Sequence, residues 1–316
     1  MEHLSELLSS IIPTFGVVGI GVLCRTTKIW DKSAVKVLNA YAFYIALPAL
    51  IFQSLVTTDL ARHLSVLDLK FVGGALAAHL VVFIVVLIVV QHRSVSKGTR
   101  AVAPMLFTFG STAYLGIPYV TNTFGEAAVP YAAILSVALV IVLLFCSLAV
   151  LRRYGNPPDH QSFAREFFEL PFLYAVLAGL AIAFFRIPLP HFIGKTIDVF
   201  AGSAGPTSLL ALGAFDYGIK LRNIQLGPSV LFGAGKVFGT GLATFIILKL
   251  LGVTGLLLAV GTAMGAVSIA VTAFVLAEQH RAGETVTDSS MAVSSFCSFV
   301  ALTVISFLWF STGVFK

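Results

Sequence analysis

The residues with most chemical promise sit in one stretch and its later counterpart. Phe109-Gly110-Ser111-Thr112-Ala113-Tyr114-Leu115-Gly116-Ile117-Pro118 places two glycines, two hydroxyls and a proline inside an apolar run. Proline lacks an amide donor and clashes with the preceding turn, and nearby glycines loosen the helix further. Backbone groups freed inside a bilayer must be met by protein, water or ligand. A helix broken here would aim the amides of a half-helix N-terminus at an anion. The plain alternative is a kink without a ligand, because Gly and Pro are common in spanning helices. The counterpart, Gly261-Thr262-Ala263-Met264-Gly265-Ala266-Val267-Ser268, keeps the glycines and lacks a proline. Small residues let two backbones approach closely, so the stretches could cross at mid-membrane. Asn122 lies one turn beyond Pro118, while Ser268 and Thr272 supply hydroxyls on the other side; each hydroxyl could equally bond back to its own helix.

Lys236 is the other conspicuous residue, set in the apolar run Leu231-Phe232-Gly233-Ala234-Gly235-Lys236-Val237. A charge at that depth costs about 2.5–3.5 kcal/mol on insertion scales, which makes a functional role the default. It could balance an anion or change protonation; the competing reading is a structural link between helices. His79 reads as a hydrogen-bonded packing residue before a proton relay. Asp216 and Asp288 read as solvated helix ends. No HExxH, GxSxG, GxxxxGK[ST] or cysteine–histidine cluster occurs, so neither hydrolysis nor ATP-driven pumping is indicated, and no cofactor or metal is implied. Cys24, Cys146 and Cys297 are odd in number and lie in or beside apolar runs, as reduced packing thiols do.

The elements that must position these residues are membrane-spanning helices. Hydrophobic residues make up 58% and charged residues 11% of 316 positions, with a mean hydropathy of +0.98. A soluble domain carries about 25% charged residues. The net charge of +6 belongs to loops between apolar runs, which excludes a nucleic-acid-binding face. Spans are expected at Leu7–Cys24, Ala34–Thr57, Leu69–Val90, Ala101–Phe124 and Ala127–Leu151, then Leu170–Phe185, Thr196–Ile219, Gly227–Leu250, Val253–Glu278 and Val286–Phe310. A polar linker at 156–169, carrying Asn156-Pro157-Pro158-Asp159, separates a first repeat (1–155) from a second (170–316). With the N-terminus outside, the inner loops hold thirteen Lys and Arg (Arg25, Lys28, Lys32, Lys36; Arg93, Lys97, Arg100; Arg152, Arg153, Arg165; Lys220, Arg222; Arg281). Outer segments hold six (Arg62, Lys70, Arg186, Lys195, Lys249, Lys316), so both termini are expected outside a cytoplasmic membrane. Five spans per half require the halves to be inverted if they are related. Pro48-Ala49-Leu50-Ile51 matches Pro206-Thr207-Ser208-Leu209, and 117–124 aligns without gaps on 267–274. Inverted repeats with interrupted helices point to secondary transport.

Pro13-Thr14-Phe15, Ala46-Leu47-Pro48-Ala49-Leu50-Ile51-Phe52, Leu115-Gly116-Ile117-Pro118, Phe124-Gly125, Lys236 and Phe274-Val275-Leu276-Ala277 together resemble the auxin efflux carrier family, bacterial permease type. The resemblance implies an all-α membrane protein of ten helices in two inverted five-helix repeats, with crossing broken helices 4 and 9. It implies a scaffold of spans 1, 2, 6 and 7, a transport domain of spans 3–5 and 8–10, and an elevator motion. Pro118 matches the family's first crossover proline; Ser111 stands where asparagine is usual, Ser268 where the second crossover proline is usual, and Thr272 where asparagine often lies. The expected function is therefore secondary transport of a small organic anion, a malonate- or auxin-like carboxylate. Ser111, Thr112, Ile117, Pro118, Asn122, Ser268 and Thr272 would form the site, and Lys236 would bias it toward anions. The partners expected are the organic anion and the lipid bilayer. A coupling proton or sodium ion and a homodimer stay open. The competing classes are a cation-coupled carrier of the bile-acid symporter type and a membrane-embedded enzyme or sensor.

Overall fold

The computed structural model describes residues 2–57, 65–155, 171–217, 226–311 and 314–315. Its elements are helices, with a single isolated bridge between Gly110 and Ile269 among the described residues. They are α1 (Glu2–Thr26), α2 (Lys32–Thr57), α3 (Val66–Gln91), α4 (Lys97–Thr108), α5 (Ile117–Phe124), α6 (Glu126–Tyr154), α7 (Pro171–Phe185), α8 (His191–Tyr217), α9 (Gly227–Leu250), α10 (Gly255–Gly265), α11 (Val271–Gln279) and α12 (Glu284–Ser311). By length and composition, α2, α3, α6, α9 and α12 are able to cross a membrane, and shorter apolar helices run at Ile11–Thr26, Leu173–Phe185 and Gly255–Gly265. The expected linker at 156–169 lies outside the described residues, as does the side chain of Asp216.

Several helices outrun their apolar cores because polar caps extend them. Asp31 accepts the Ala34 amide at 2.8 Å, which starts α2 ahead of Ala34; that hydrogen bond also holds the Asp31 carboxyl below its usual range. Ser65 and Asp68 form a reciprocal capping box on α3, and Ser96 caps α4 through the Thr99 amide. Large apolar side chains face outward, among them Val81, Ile84 and Ile88 on α3, Leu242 and Ile246 on α9, and Phe296 and Phe307 on α12. Hydroxyls lie inside instead: Thr14, Ser208, Ser268, Ser290, Ser294 and Ser298 are fully buried. Apolar outside and hydroxylic inside is the arrangement a lipid solvent selects.

Glycines set the closest helix contacts. A side chain at Gly213 would overlap the Val18 carbonyl of α1, and one at Gly21 would overlap the Leu210 carbonyl of α8. A Cβ at Gly233 in α9 would come within 2.8 Å of the Ser290 carbonyl in α12. Backbones approach at these points with nothing flexible to give way. Gly213→Val is expected to lower the melting temperature in detergent markedly, overpacking of this kind costing about 1–3 kcal/mol. Gly19→Ala, where a Cβ meets nothing within 4 Å, is expected to leave it unchanged or raise it.

Candidate functional site

The expected fourth and ninth segments are each interrupted. α4 ends at Thr108, residues 109–111 are non-helical, and one widened (π-type) turn, Thr112–Gly116, leads into α5. α10 ends at Gly265, and α11 begins only at Val271. The first interruption therefore lies upstream of Pro118, which occupies the first turn of α5, where proline is tolerated. Proline takes away the amide that would serve the carbonyl four residues earlier, and the Tyr114 carbonyl accepts from Ser208 Oγ at 3.0 Å instead. α2 repeats the device, with a widened turn at Ala42–Ala46 just ahead of Pro48. The second interruption forms with Ser268, and no proline, within it.

The two interruptions meet and satisfy each other. Gly110 opposes Ile269 in an antiparallel bridge. The Ser111 amide donates to the Ser268 carbonyl at 2.7 Å, and the Ala270 amide donates to the Phe109 carbonyl at 3.0 Å. Side chains from two neighbouring helices serve the groups that remain. From α12, Ser298 Oγ donates to the Ala266 carbonyl, and Ser294 Oγ accepts the Ile269 amide, both at 3.0 Å. From the widened turn Gly235–Thr240 of α9, Lys236 Nζ donates to the Gly265 carbonyl at 2.7 Å and Thr240 Oγ1 to the Phe107 carbonyl at 2.5 Å. In hydrocarbon every such group must find a partner, and these do.

Two spaces reach this crossing. A crevice of about 640 Å³, within the range of small-molecule sites, runs between α1, α2, α5, α6 and α8. Ile117, Pro118 and Asn122 line it, with Gln53, Glu126 and Asp198 as further polar groups. A cavity of about 30 Å³, room for about one water, is lined by Ser111, Thr112 and Thr272 together with Ala270 and Val271. The N-terminus of α11 opens onto that cavity without a side-chain cap, and the buried Ser111 hydroxyl beside it has no hydrogen-bond partner. Between the two spaces stands an alanine-rich seal in which Ala113 and Tyr114 pack with Ala42, Ala46, Leu47, Ala204 and Ala211.

The sequence-predicted residues thus divide. Ile117, Pro118 and Asn122 face the crevice; Ser111, Thr112 and Thr272 face the small cavity; Ser268 and Lys236 line neither and are fully buried. Thr112 Oγ1 already pairs with Ser136 Oγ at 2.8 Å, and Asn122 Nδ2 donates to Thr14 Oγ1 at 3.0 Å. His79 is buried, with Nδ1 on the Ala75 carbonyl at 2.8 Å. Sequence reading missed Gln53 and Asp198, whose side chains meet across α2 and α8 at 2.6 Å; Pro206, the counterpart of Pro48 and a crevice residue two turns from Asp198, was the nearest signal.

The family described as "Membrane transport protein" matches residues 7–162. The N-terminal half of the chain is thus similar to this transport family. It is similar to a Rhizobium meliloti (strain 1021) protein named "Putative malonate transporter", 26% identical over 244 residues that cover 72% of this chain and 71% of that one. An uncharacterized transporter of Methanocaldococcus jannaschii is 23% identical over 198 residues, 61% of this chain and 64% of that one. These matches indicate a transporter and not an enzyme, in keeping with the resemblance to auxin efflux carriers and permeases. In Ser294→Ala/Ser298→Ala the Ile269 amide and the Ala266 carbonyl lose their partners, at about 1–3 kcal/mol each. The expected result is a lower melting temperature and faster amide exchange at 266–270, with exchange in α3 unchanged.

Proposed function

We propose that this transporter carries a small organic anion across the cytoplasmic membrane by alternating access, with the crossing of α4/α5 and α10/α11 as the substrate site. The supporting observation is the crevice that runs from the protein surface to Ile117 and Pro118 and stops at the alanine seal. On the far side of that seal lie the uncapped α11 N-terminus and the free Ser111 hydroxyl, groups suited to a carboxylate. Shifting the seal would expose the same crossing from the opposite side. Ser111, Thr112, Asn122 and Thr272 donate to the substrate in this reading, Ile117, Pro118 and Ser268 shape the site, and Lys236 adds positive charge from behind.

The wider arrangement follows the same logic. Ten spans form two inverted five-helix repeats, 1–155 and 170–316, joined by a cytoplasmic linker with both termini outside. α1, α2, α7 and α8 act as a scaffold, and the remaining helices move against it as an elevator. The alanine seal lies on that boundary, as does the Asn122–Thr14 hydrogen bond. A malonate-type dicarboxylate is the first substrate to test, given the name of the Rhizobium relative.

Cation coupling is a second reading with its own support. Glu126 and Asp198 line the crevice with no lysine or arginine among its described lining residues, so an anion entering there meets two carboxylates. A bound proton or sodium ion would relieve that repulsion.

Proteoliposomes are expected to take up at least one labelled mono- or dicarboxylate. Thr272→Ala is expected to raise the KM roughly tenfold, as loss of one hydrogen bond to a charged group costs about 1.5–3 kcal/mol. Substrate-induced stabilisation that grows with sodium would support the coupled reading. Absence of both uptake and thermal stabilisation across a carboxylate panel would remove the anion assignment.

A further inference from the structure

Away from the crossing, a groove of about 270 Å³ lies between α2, α3, α6 and α7. Its walls are two helix pairs. α7 closes on α2 at Gly179, where an added Cβ would lie 3.1 Å from that of Leu55. α3 meets α6 through the Phe71 and Tyr131 rings, edge to face at 6.2 Å. Where the pairs join, Ile51, Leu55 and Val176 pack against Ile134 and Val137.

The groove continues the apolar outer surface. Leu69 and Leu180 on its rim are exposed, as are the neighbouring Leu67 and Leu177. Apolar cavities of about 150 Å³ stay dry and bind hydrocarbon, and the hydrocarbon that a bilayer offers is an acyl chain. One end of the groove is polar. Asp68 stands in the first turn of α3 and Tyr131 near the start of α6, the height at which head groups meet the acyl region. The Ser65 amide and hydroxyl both donate to a single Asp68 oxygen, Oδ2. No lysine, arginine or histidine stands beside that carboxylate among the described lining residues. A carboxylate so placed repels an anionic substrate and suits a primary ammonium, which donates hydrogen bonds that a quaternary ammonium lacks.

We infer that this groove is a phospholipid site: an acyl chain lies between the α2–α7 and α3–α6 pairs, with an ethanolamine head group held by Asp68. The site does not depend on the elevator reading. Its effect on transport does, since on that reading the chain lodges between scaffold and moving helices, and sliding must displace it.

The test places the full-length protein in phosphatidylcholine vesicles with a trace of lipid bearing a diazirine in its acyl chain, either phosphatidylethanolamine or phosphatidylcholine. After irradiation the adducts are mapped by mass spectrometry. Adducts are expected at Ile134–Ala138, with the ethanolamine lipid giving about threefold more than the choline lipid. Ile84, exposed elsewhere on α3, is expected to be labelled equally by both. Ala138→Phe, which fills the groove, is expected to remove the groove adducts, keep those at Ile84 and change the rate of labelled-malonate uptake by about twofold or more. Asp68→Asn is expected to abolish the head-group preference. Ser65→Ala, which breaks the same helix cap and keeps the carboxylate, is expected to retain it. Labelling of Val137 no greater than that of the buried Leu143 would overturn the site. Equal labelling by the two lipids, or a preference that survives Asp68→Asn, would overturn the head-group assignment. Groove adducts lost in Ala138→Phe with uptake unchanged would keep the site and remove it from the moving boundary. Absence of malonate uptake by the wild type would count against the substrate reading alone, because the adducts are read without transport.

Discussion

A backbone amide or carbonyl inside hydrocarbon has no water to fall back on, and this fold is organised around that constraint. Two helices are interrupted at the same depth, and each interruption is the other's principal partner through the Ser111–Ser268 and Ala270–Phe109 hydrogen bonds. The groups left over are served by Lys236 and Thr240 on one side and by Ser294 and Ser298 on the other. The widened turn of α9 and the serine face of α12 therefore have a common purpose. Neither interruption could persist alone, because each would leave several unpaired polar groups at a cost of about 1–3 kcal/mol apiece.

That mutual dependence bears on how the molecule would move. A crossing held by hydrogen bonds from its own pairing and from α9 and α12 is stiff. Its contact with α2 and α8 is an apolar patch rich in alanine that also holds Leu47 and Tyr114, with Ser208 donating to the Tyr114 carbonyl and Asn122 reaching Thr14 of α1. Small, weakly bonded surfaces slide more readily than a closed hydrogen-bond network breaks. The proposed elevator places its boundary along the alanine patch for that reason.

Much of this was legible in the residues. The apolar runs gave the helix positions, and the error at their ends came from caps such as Asp31 and the Ser65–Asp68 box, which extend a helix into polar sequence. Pro118 marked the right neighbourhood and the wrong residue: a proline near a helix start is accommodated by a widened turn, whereas the interruption proper needs a partner backbone. Lys236 stood out as a buried charge, but its partner is a main-chain carbonyl 29 residues away, which leaves no trace in side-chain chemistry. Ser294 and Ser298 are indistinguishable in sequence from the other serines of α12, several of which bond only to their own helix. The Gln53–Asp198 contact joins helices far apart in the chain, and neither residue belongs to a motif.

Cross-linking tests the central claim most directly. In a chain with Cys24, Cys146 and Cys297 replaced by serine, a first link, made with a short, reducible bifunctional thiol reagent, would join two sites within the proposed moving body. Phe124→Cys on α5 and Trp309→Cys on α12 suit it, since those rings pack at 5.1 Å. A second link, made with a short bifunctional thiol reagent between Phe215→Cys on α8 and Phe274→Cys on α11, would cross the boundary where those rings pack at 5.4 Å. The account predicts that carboxylate uptake survives the first link and stops with the second, returning on reduction. Uptake that survives the second link and stops with the first would contradict it.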